Sequence, residues 1–357
     1  MDFPKFGRWL LAFSFLPLYY LVQWFSDYPA LIETYYSRGF YVYWSEGLRF
    51  VLGRFPISVG DLLYIVIIVW GLIKIRKHLK GKTPVKSLLL FTGTAVSIFY
   101  LVFNLSWGLN YHRTPLNESL NLSSALKDSL ALFNLTEALV LKANVLHKQI
   151  ALDSLSAVKI PYQTNEILTM GISGYEVLEL KYPLLSYPHT AVKKSVFAIP
   201  LSYMGYAGYL NPFTLEAQVN QKIPAYRLPV VATHEMAHQL GYASERDTNF
   251  IGYLAGIHHP DLYFNYASTT LALSYCLRDV YRESPKRQQE FIALLNPGVI
   301  KNFQESNRFW EMYQNPLSPY FESIFNRFLK MNNQTQGVKS YGQIVQLLLA
   351  YHAQYPA

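Results

Sequence analysis

Hydrophobic positions follow different patterns before and after residue 107 of the chain. In the first part they form three long apolar runs, at about 9–25, 57–73 and 87–104. Each run is close to the lower length limit for a membrane-spanning helix, and none carries a charge across its apolar centre. Asp61 lies near the start of the second run, where we expect it at the membrane interface. The pattern favours three transmembrane helices over three buried core helices.

Apolar residues recur at helical spacing after residue 107, which is typical of a globular domain. We expect helices at about 117–152, 165–181, 245–257 and 262–282. Residues 201–220 mix glycine, tyrosine and β-forming residues and predict two short strands with a turn near Asn211-Pro212; residues 195–199 predict another strand. The predicted fold class is mainly α (α+β), with a membrane region at 1–107 and a mostly helical domain at 108–357 that contains a small β-sheet.

The composition and the charge distribution support a membrane protein. Hydrophobic residues make up 51% of the chain and charged residues only 15%, against roughly 25% in a soluble domain. Six basic residues and no acid lie between the second and third runs: Lys74, Arg76, Lys77, Lys80, Lys82 and Lys86. The positive-inside rule places this loop and the N-terminus in the cytoplasm, and the domain at 108–357 outside. The net charge of +8 is therefore largely a topology signal, and without a recognition motif we expect no nucleic acid as a partner.

The sequence HEMAH at 234–238 carries the candidate chemistry. His234 and His238 are four residues apart, so a helix presents both imidazoles on one face to a single Zn²⁺ ion. Glu235 lies between them and is predicted to act as the general base on a zinc-activated water. We expect the small sheet next to this helix. The single cysteine, Cys276, excludes an internal disulfide and a multi-cysteine metal site.

A catalytic zinc takes a third protein ligand and leaves one position open. Glu245 and Asp247 are both local candidates, and we favour Glu245. With Asn249 it forms an i, i+4 pair, so Asn249 could accept the free N–H of a ligand histidine. Asp247 is instead expected to complete a capping box with Ser244 at the start of the next helix.

A further donor is needed to stabilise the oxyanion of a hydrolytic transition state, and a tyrosine often supplies it. Tyr206, Tyr209 and Tyr281 are the candidates. The strands within 201–220 could also offer an edge on which an extended substrate peptide lies.

The order of these motifs resembles two groups of zincins. H-E-x-x-H followed by E-x-x-x-N resembles the glutamate zincins (gluzincins), whose second motif is commonly E-x-x-x-D. This chain departs from that pattern in two ways. Asn249 stands in place of the aspartate, and the gap from His238 to Glu245 is shorter than in most of the group. HEMAHQLGYAS also resembles the metzincin motif, with Ser244 in the position of the third histidine. The resemblance implies a zincin-like, gluzincin-type metallopeptidase domain.

A wider resemblance covers most of the chain. WGLNYHRTPL at 107–116, NPFTLEAQVN at 211–220 and the segment 233–255 are similar to an uncharacterised bacterial family of membrane-anchored, zincin-like proteins of unknown function. Together with the charge pattern, it implies a multi-pass protein of the bacterial inner (cytoplasmic) membrane with a periplasmic C-terminal domain.

Two functions fit the sequence. The first is a membrane-anchored zinc metallopeptidase that hydrolyses a peptide or protein substrate, with Glu235 as the general base. The second is a non-catalytic, zincin-derived membrane sensor or binding module, because an anchor needs one helix and three are predicted. In either case the lipid bilayer is a partner.

Overall fold

The computed structural model describes residues 5–82, 84–122, 128–334, 337 and 343–356. It is mainly helical with one small sheet, as the apolar pattern predicts. The N-terminal part consists of α1 (Lys5–Phe13), α2 (Phe15–Ser26), α3 (Pro29–Leu31), a π-helical segment (Ile32–Phe40), α4 (Tyr41–Leu52), α5 (Val59–Leu79) and α6 (Val85–Ser106).

The remainder of the chain folds into a helical domain. Short 3-10 helices occupy Gly108–His112, Pro183–Leu185 and Ala225–Arg227. The α-helices are α7 (Leu116–Ser119), α8 (Ser129–Ile150), α9 (Thr164–Met170), α10 (Ile172–Lys181), α11 (Ala198–Met204), α12 (Leu228–Gln239), α13 (Glu245–Ile257), α14 (Leu262–Glu283), α15 (Pro285–Ala293), α16 (Pro297–Met312), α17 (Ser318–Met331) and α18 (Ile344–Gln354). The helices predicted at 245–257 and 262–282 are confirmed, while the one at 165–181 is divided at Gly171 into α9 and α10. In the segment 117–152, residues 123–127 lie outside the described part.

Three helices in the described part of the chain are long and apolar enough to cross a membrane: Trp9–Ser26, Val85–Ser106 and Ser129–Ile150. The first two coincide with the predicted segments 9–25 and 87–104. The third is α8, which packs on α14 and buries Leu132, Leu139 and Val140 in the main core. We therefore assign α8 to the domain.

The predicted segment 57–73 also forms a helix, α5, but it is not among those three. Its uncharged run from Leu62 to Ile73 is shorter than the ~20 residues of a typical span, although the basic residues that follow can extend to the membrane surface. Trp70 packs against Phe91 of α6 with ring centroids 4.6 Å apart. Many apolar side chains of α5 are exposed, which suits contact with lipid.

The sheet has three short strands, β1 (Val192–Lys194), β2 (Gly208–Leu210) and β3 (Ala217–Val219), in the order β1-β3-β2. β1 runs parallel to β3 and β2 runs antiparallel to it. Because β3 is the central strand, β2 is an edge strand. Both strands predicted within 201–220 are confirmed, but the strand predicted at 195–199 is wrong. The chain leaves the sheet there because the Ser195 hydroxyl and the Val196 N–H both donate to the Asp61 carboxylate.

The first turn of α5 is bound to the sheet through two buried carboxylates. Glu216 accepts hydrogen bonds from the backbone N–H groups of Val59 and Gly60 and lies 2.5 Å from Lys193 Nζ. Asp61 accepts from the Tyr209 hydroxyl as well as from the 195–196 segment. Asp61 is fully buried, so it contacts protein at the position where the sequence predicts a membrane interface.

Residues between the first two apolar runs pack on the helical domain. The Tyr41 and Ser45 hydroxyls both donate to the backbone carbonyl of Gln239, at 3.2 and 2.8 Å. Ile32, Phe103, Trp107, Leu215 and Ala243 belong to one buried cluster. At the predicted boundary, residue 107, α6 leads directly into the 3-10 helix Gly108–His112, and residues from both sides of the boundary share this cluster.

Candidate metal centre

His234 and His238 on α12 lie beside Glu245, the first residue of α13. One ligand atom from each residue can be chosen so that all three lie within 4.8 Å of one another. His234 Nε2 is 3.5 Å from Glu245 Oε2, and His238 Nε2 is 3.8 Å from Glu245 Oε1. Within the described residues the structure thus brings together the three predicted ligands, and Asp247 is not part of the group.

The turn between α12 and α13 returns Glu245 to the histidines. Gly241 has φ +83°, a left-handed conformation that ends α12. A Cβ at Gly241 would lie 2.7 Å from the Tyr41 ring, so this position also requires a residue without a side chain. The predicted capping box is wrong: Ser244 is the N-cap but makes no side-chain capping bond, and Asp247 instead accepts a hydrogen bond from Arg246.

The close approach of the two helices depends on a second glycine. A Cβ at Gly252 would lie 2.8 Å from the backbone nitrogen of His234. Thr233 of α12 also donates through its hydroxyl to the Gly252 carbonyl at 3.0 Å. α13 can therefore pack directly on the backbone of the metal helix.

The arrangement fits a tetrahedral zinc ion. Ligand atoms at ~2.0–2.1 Å from Zn²⁺ in a tetrahedron are about 3.3–3.4 Å apart. The separations of 3.5 and 3.8 Å, one histidine nitrogen to each Glu245 oxygen, are slightly longer than this value, and the whole ligand set lies within 4.8 Å. Two imidazole nitrogens and one carboxylate are also ligands that zinc commonly takes.

His238 is held in the orientation that a metal ligand needs. Its Nδ1 lies 2.8 Å from the Tyr242 carbonyl, which fixes the proton there and leaves Nε2 free. Burial lowers the pKa of His238 to about 4, so the imidazole is neutral at pH 7. The indole of Trp107, the residue that follows α6, packs edge-on against the same imidazole at 5.9 Å.

Asn249 lies beside His234 and Glu245. Its Nδ2 donates to the backbone carbonyl of Glu245 at 2.7 Å, and its contact with His234 raises the pKa of that imidazole. Burial lowers the pKa of His234, but this contact and the neighbouring carboxylates, Glu245 first, raise it above its ordinary value. Nδ1 of His234 has no partner with hydrogen-bond geometry among the described residues.

Glu235 is buried with one carboxylate oxygen unsatisfied. Its Oε2 has no hydrogen-bond partner in the described part of the chain. Burial raises the pKa of Glu235 to about 8. The other oxygen lies so close to Gly208 of β2 that a Cβ at that position would collide with it. The sheet is therefore next to the HExxH helix, as predicted, and β2 confines the carboxylate.

A cavity of about 890 Å³ opens onto these groups. The cavity wall includes His234, Glu235, His238 and Glu245, as well as all three residues of β2. The edge strand thus borders the same space as the three candidate ligands.

The three predicted tyrosines have different positions. Tyr206 lines the cavity, and burial followed by the charge of Glu245 raises its pKa to about 12. Tyr209 also lines the cavity, but its hydroxyl donates to Asp61. Tyr281 is 55% exposed and is not among the residues that line the cavity, so the structure does not bring it to the site.

Four further residues that line the cavity, two tyrosines and two arginines, were not predicted from the sequence. Tyr111 and Tyr275 line the cavity, and the charge of Glu245 contributes to the raised pKa of each, after burial. Arg227 and Arg278 line it too, and the Arg278 guanidinium lies 4.9 Å from the centre of the Tyr275 ring. No spacing in the sequence links these residues to HEMAH, since they come from separate elements.

The fold and the site define a helical membrane protein with a histidine–histidine–glutamate cluster at the base of a cavity. The model of the family DUF3810, described as proteins of unknown function, matches residues 36–349, so the chain belongs to that family. The prediction of an uncharacterised family is confirmed, whereas the resemblance to zincins stays a prediction. No curated protein and no solved structure matches the chain.

Proposed function

We propose that the chain is a membrane-anchored, zinc-dependent metallopeptidase. The observation that carries the proposal is the geometry of four residues at one cavity: His234, His238 and Glu245 as ligands, and Glu235 with an unsatisfied carboxylate oxygen. We further propose an inner-membrane location with the N-terminus in the cytoplasm and the helical domain in the periplasm, based on the basic loop at 74–86.

His234, His238 and Glu245 would hold the zinc ion, and Asn249 binds the backbone carbonyl of the third ligand. When bound, Zn²⁺ would lower the pKa of a coordinated water toward ~7 and polarise the substrate carbonyl.

Glu235 has the properties of a proton carrier for hydrolysis. Its raised pKa, about 8, is close to neutral pH, where a general base works best. The free Oε2 can take a proton and later deliver it to the leaving amine. Gly208 keeps the other oxygen in place, so the carboxylate has little freedom to turn away.

The edge strand β2 gives the substrate a place to bind. A peptide can add to an exposed sheet edge through main-chain hydrogen bonds, in the extended conformation that a peptidase requires. Tyr206 is the predicted tyrosine with a hydroxyl available to stabilise an oxyanion, because the Tyr209 hydroxyl is engaged by Asp61.

The second candidate function is a non-catalytic membrane sensor or binding module. It is favoured by the contacts between membrane-side elements and the site, namely Trp107 against His238 and Asp61 against Tyr209. A zinc-loaded wild-type protein that cleaves no peptide in a broad library would support this function over the first.

The experiment compares purified full-length wild type with Glu235→Gln on a peptide library. We expect about one zinc per chain in both proteins, and a loss of hydrolysis of about 10²–10⁴-fold in the variant. Glu176→Gln removes an exposed carboxylate on α10 and is the matched control. Equal hydrolysis by wild type and Glu235→Gln would refute the mechanism.

A further inference from the structure

The cavity extends from the metal-ligand cluster to the membrane helices. Phe99 and Phe103 of α6 and Tyr64 of α5 line it, together with Glu235. α6 spans 22 residues and rises about 33 Å, close to the ~30 Å hydrocarbon thickness of a bilayer. Phe99 is seven residues before the end of α6, or about 10 Å inside the span. When the end of α6 is at the membrane surface, this depth exceeds the roughly 5–7 Å of one headgroup layer, and Phe99 then lies at the level of the acyl chains.

α17 forms the wall between this end of the cavity and the exterior. Phe328 packs on Phe103 of α6 with ring centroids 6.2 Å apart, and Phe325 packs on Tyr206 at 5.2 Å. Phe325 and Phe328 line the cavity, and so does Glu322 on the same side of the helix. α17 therefore connects the outer end of a membrane span to the segment just before β2.

The other face of α17 carries an apolar stripe whose side chains are exposed among the described residues. Tyr320, Ile324 and Met331 are 68%, 65% and 75% exposed, and they fall within about 40° of one another around the helix axis. Arg327 and Lys330 are exposed at the edge of this stripe. Apolar residues flanked by basic ones are typical of a helix that lies in the membrane interface.

A second apolar patch lies on α11 and just before it, next to α17. Val196, Ile199 and Tyr203 are 57%, 53% and 46% exposed there. The Val196 N–H donates to Asp61 in the first turn of α5, which ties this patch to that end of α5. The stripe and the patch thus belong to two elements that contact each other, one bound to α6 through Phe328 and the other to α5 through Asp61.

We propose that α17 lies in the outer leaflet and that the cavity admits its substrate from the membrane surface, so that the substrate class is a polypeptide attached to the membrane by an acyl chain or an apolar helix. This inference rests on the proposed peptidase function. The apolar anchor would lie along Phe99, Phe103 and Phe328, and the adjoining extended chain would lie along β2. Hydrolysis breaks the C–N bond, with water supplying a hydroxyl to the carbonyl carbon and a proton to the leaving amine.

The first test locates α17 without any need for activity. An environment-sensitive fluorophore is attached to the thiol of Ile324→Cys in the full-length protein. The labelled protein is reconstituted in vesicles whose lipids carry a nitroxide, which quenches a fluorophore close to the bilayer. Cys276 is fully buried, so the label goes to the new thiol. The control is Leu180→Cys on α10, which is 83% exposed and packs on α13 rather than on a membrane helix. We expect most of the fluorescence at position 324 to be quenched and little at 180; equal quenching would overturn the interfacial position of α17.

The second test addresses the substrate class. A peptide library is presented to the reconstituted wild type either free in solution or with an N-terminal acyl chain inserted in the same vesicles. We expect cleavage of the anchored peptides to be about 10- to 100-fold faster, because the anchor raises their effective concentration at the cavity. Ile324→Ser should reduce this ratio, while Leu180→Ser should leave it unchanged.

The outcomes separate this inference from the proposed function. Equal cleavage of free and anchored peptides, lost in Glu235→Gln, would overturn the substrate class and keep the peptidase. Release of lipid fragments from vesicles without peptide would overturn the polypeptide class in favour of a lipid. A zinc-loaded protein that cleaves neither set would overturn the peptidase and this substrate class together, while the quenching result would still decide the position of α17.

Discussion

Two buried glutamates of this protein have opposite environments. Glu216 is fully buried at the sheet, where Lys193 and the N–H groups of Val59 and Gly60 satisfy its carboxylate. Glu235 is 3% exposed on α12, and its Oε2 finds no hydrogen-bond partner among the described residues. An unsatisfied buried carboxylate costs stability and is retained where chemistry needs it. A satisfied one fixes structure, and here it fixes the first turn of α5 to the sheet.

The same contrast extends to the neighbours of each glutamate. The region around Glu216 is a closed network that includes Asp61, Ser195 and Tyr209. The region around Glu235 opens into the cavity. Substitutions in the first region should therefore reduce stability, and substitutions in the second should reduce metal binding or activity with a smaller effect on stability.

The largest effect on stability is expected for Lys193→Met. This change removes the cation from a buried ion pair and leaves the Glu216 charge uncompensated, at a cost of about 3–5 kcal/mol in the free energy of unfolding. Chemical denaturation of the full-length protein in detergent measures it. Lys194→Met, at the adjacent exposed position of β1, is the control and should change stability by less than ~0.5 kcal/mol. Similar losses of stability in Lys193→Met and Lys194→Met would contradict the structural role of the ion pair at Glu216.

Zinc binding should distinguish Glu245 from Asp247. Glu245→Gln removes a proposed ligand. Loss of a residue that only hydrogen-bonds to a ligand typically weakens metal affinity 10- to 100-fold, and we expect Glu245→Gln to weaken zinc affinity by more than this. Asp247→Asn should have a smaller effect, because Asp247 faces Arg246. Competition with a chelator of known affinity measures both variants. A greater loss with Asp247→Asn would reassign the third ligand.

Gly208→Ala should act on Glu235 through packing. The new methyl group would collide with the Glu235 carboxylate and lie 2.8 Å from the Gln218 carbonyl, so we expect destabilisation of about 1–3 kcal/mol together with reduced hydrolysis. Gly47→Ala, in α4 with no heavy atom within 4 Å of the new methyl, is the control and should be neutral or stabilising. Activity and unfolding measured on the same preparations test the pair.

The smallest effect concerns acid stability. Burial raises the pKa of Glu33, but hydrogen bonds and charge from Arg113 and Arg38 outweigh it and hold the pKa below 4.5. A lowered folded-state pKa contributes stability that is present above the unfolded value and is lost as the pH falls through the folded one. Wild type should therefore exceed Glu33→Gln in stability at pH 7, with the difference shrinking below pH 4.5. A difference independent of pH would exclude this ion pair as its source.

Much of the fold follows from local sequence patterns. Apolar runs place the helices Trp9–Ser26 and Val85–Ser106, and helical spacing places α13 and α14. The strand predicted at 195–199 failed because Asp61, more than a hundred residues away in sequence, binds Ser195 and Val196. A local pattern contains no information about such a partner.

The candidate site likewise contains residues that the sequence identifies and contacts that depend on tertiary packing. The spacing of HEMAH identifies His234, Glu235 and His238, because a helix has a fixed period. The end of α12 also has a local signal, because Gly241 adopts the left-handed conformation that glycine favours. The contact of Gly208 with Glu235 and the carbonyl of Tyr242 on His238 have no signal in the sequence, since each depends on how separate elements pack.

By itself the sequence determined two candidate membrane helices, the helical domain, and a pair of histidines with a glutamate between them. These features depend on hydrophobic period and helix geometry, which act over a few residues. The tertiary structure alone decided that one oxygen of Glu235 has no hydrogen-bond partner among the described residues while the Glu216 carboxylate is enclosed, and that residues of α5 and α6 line the cavity. Burial and hydrogen-bond partners are set by residues far apart in the chain, so only the packed molecule specifies them.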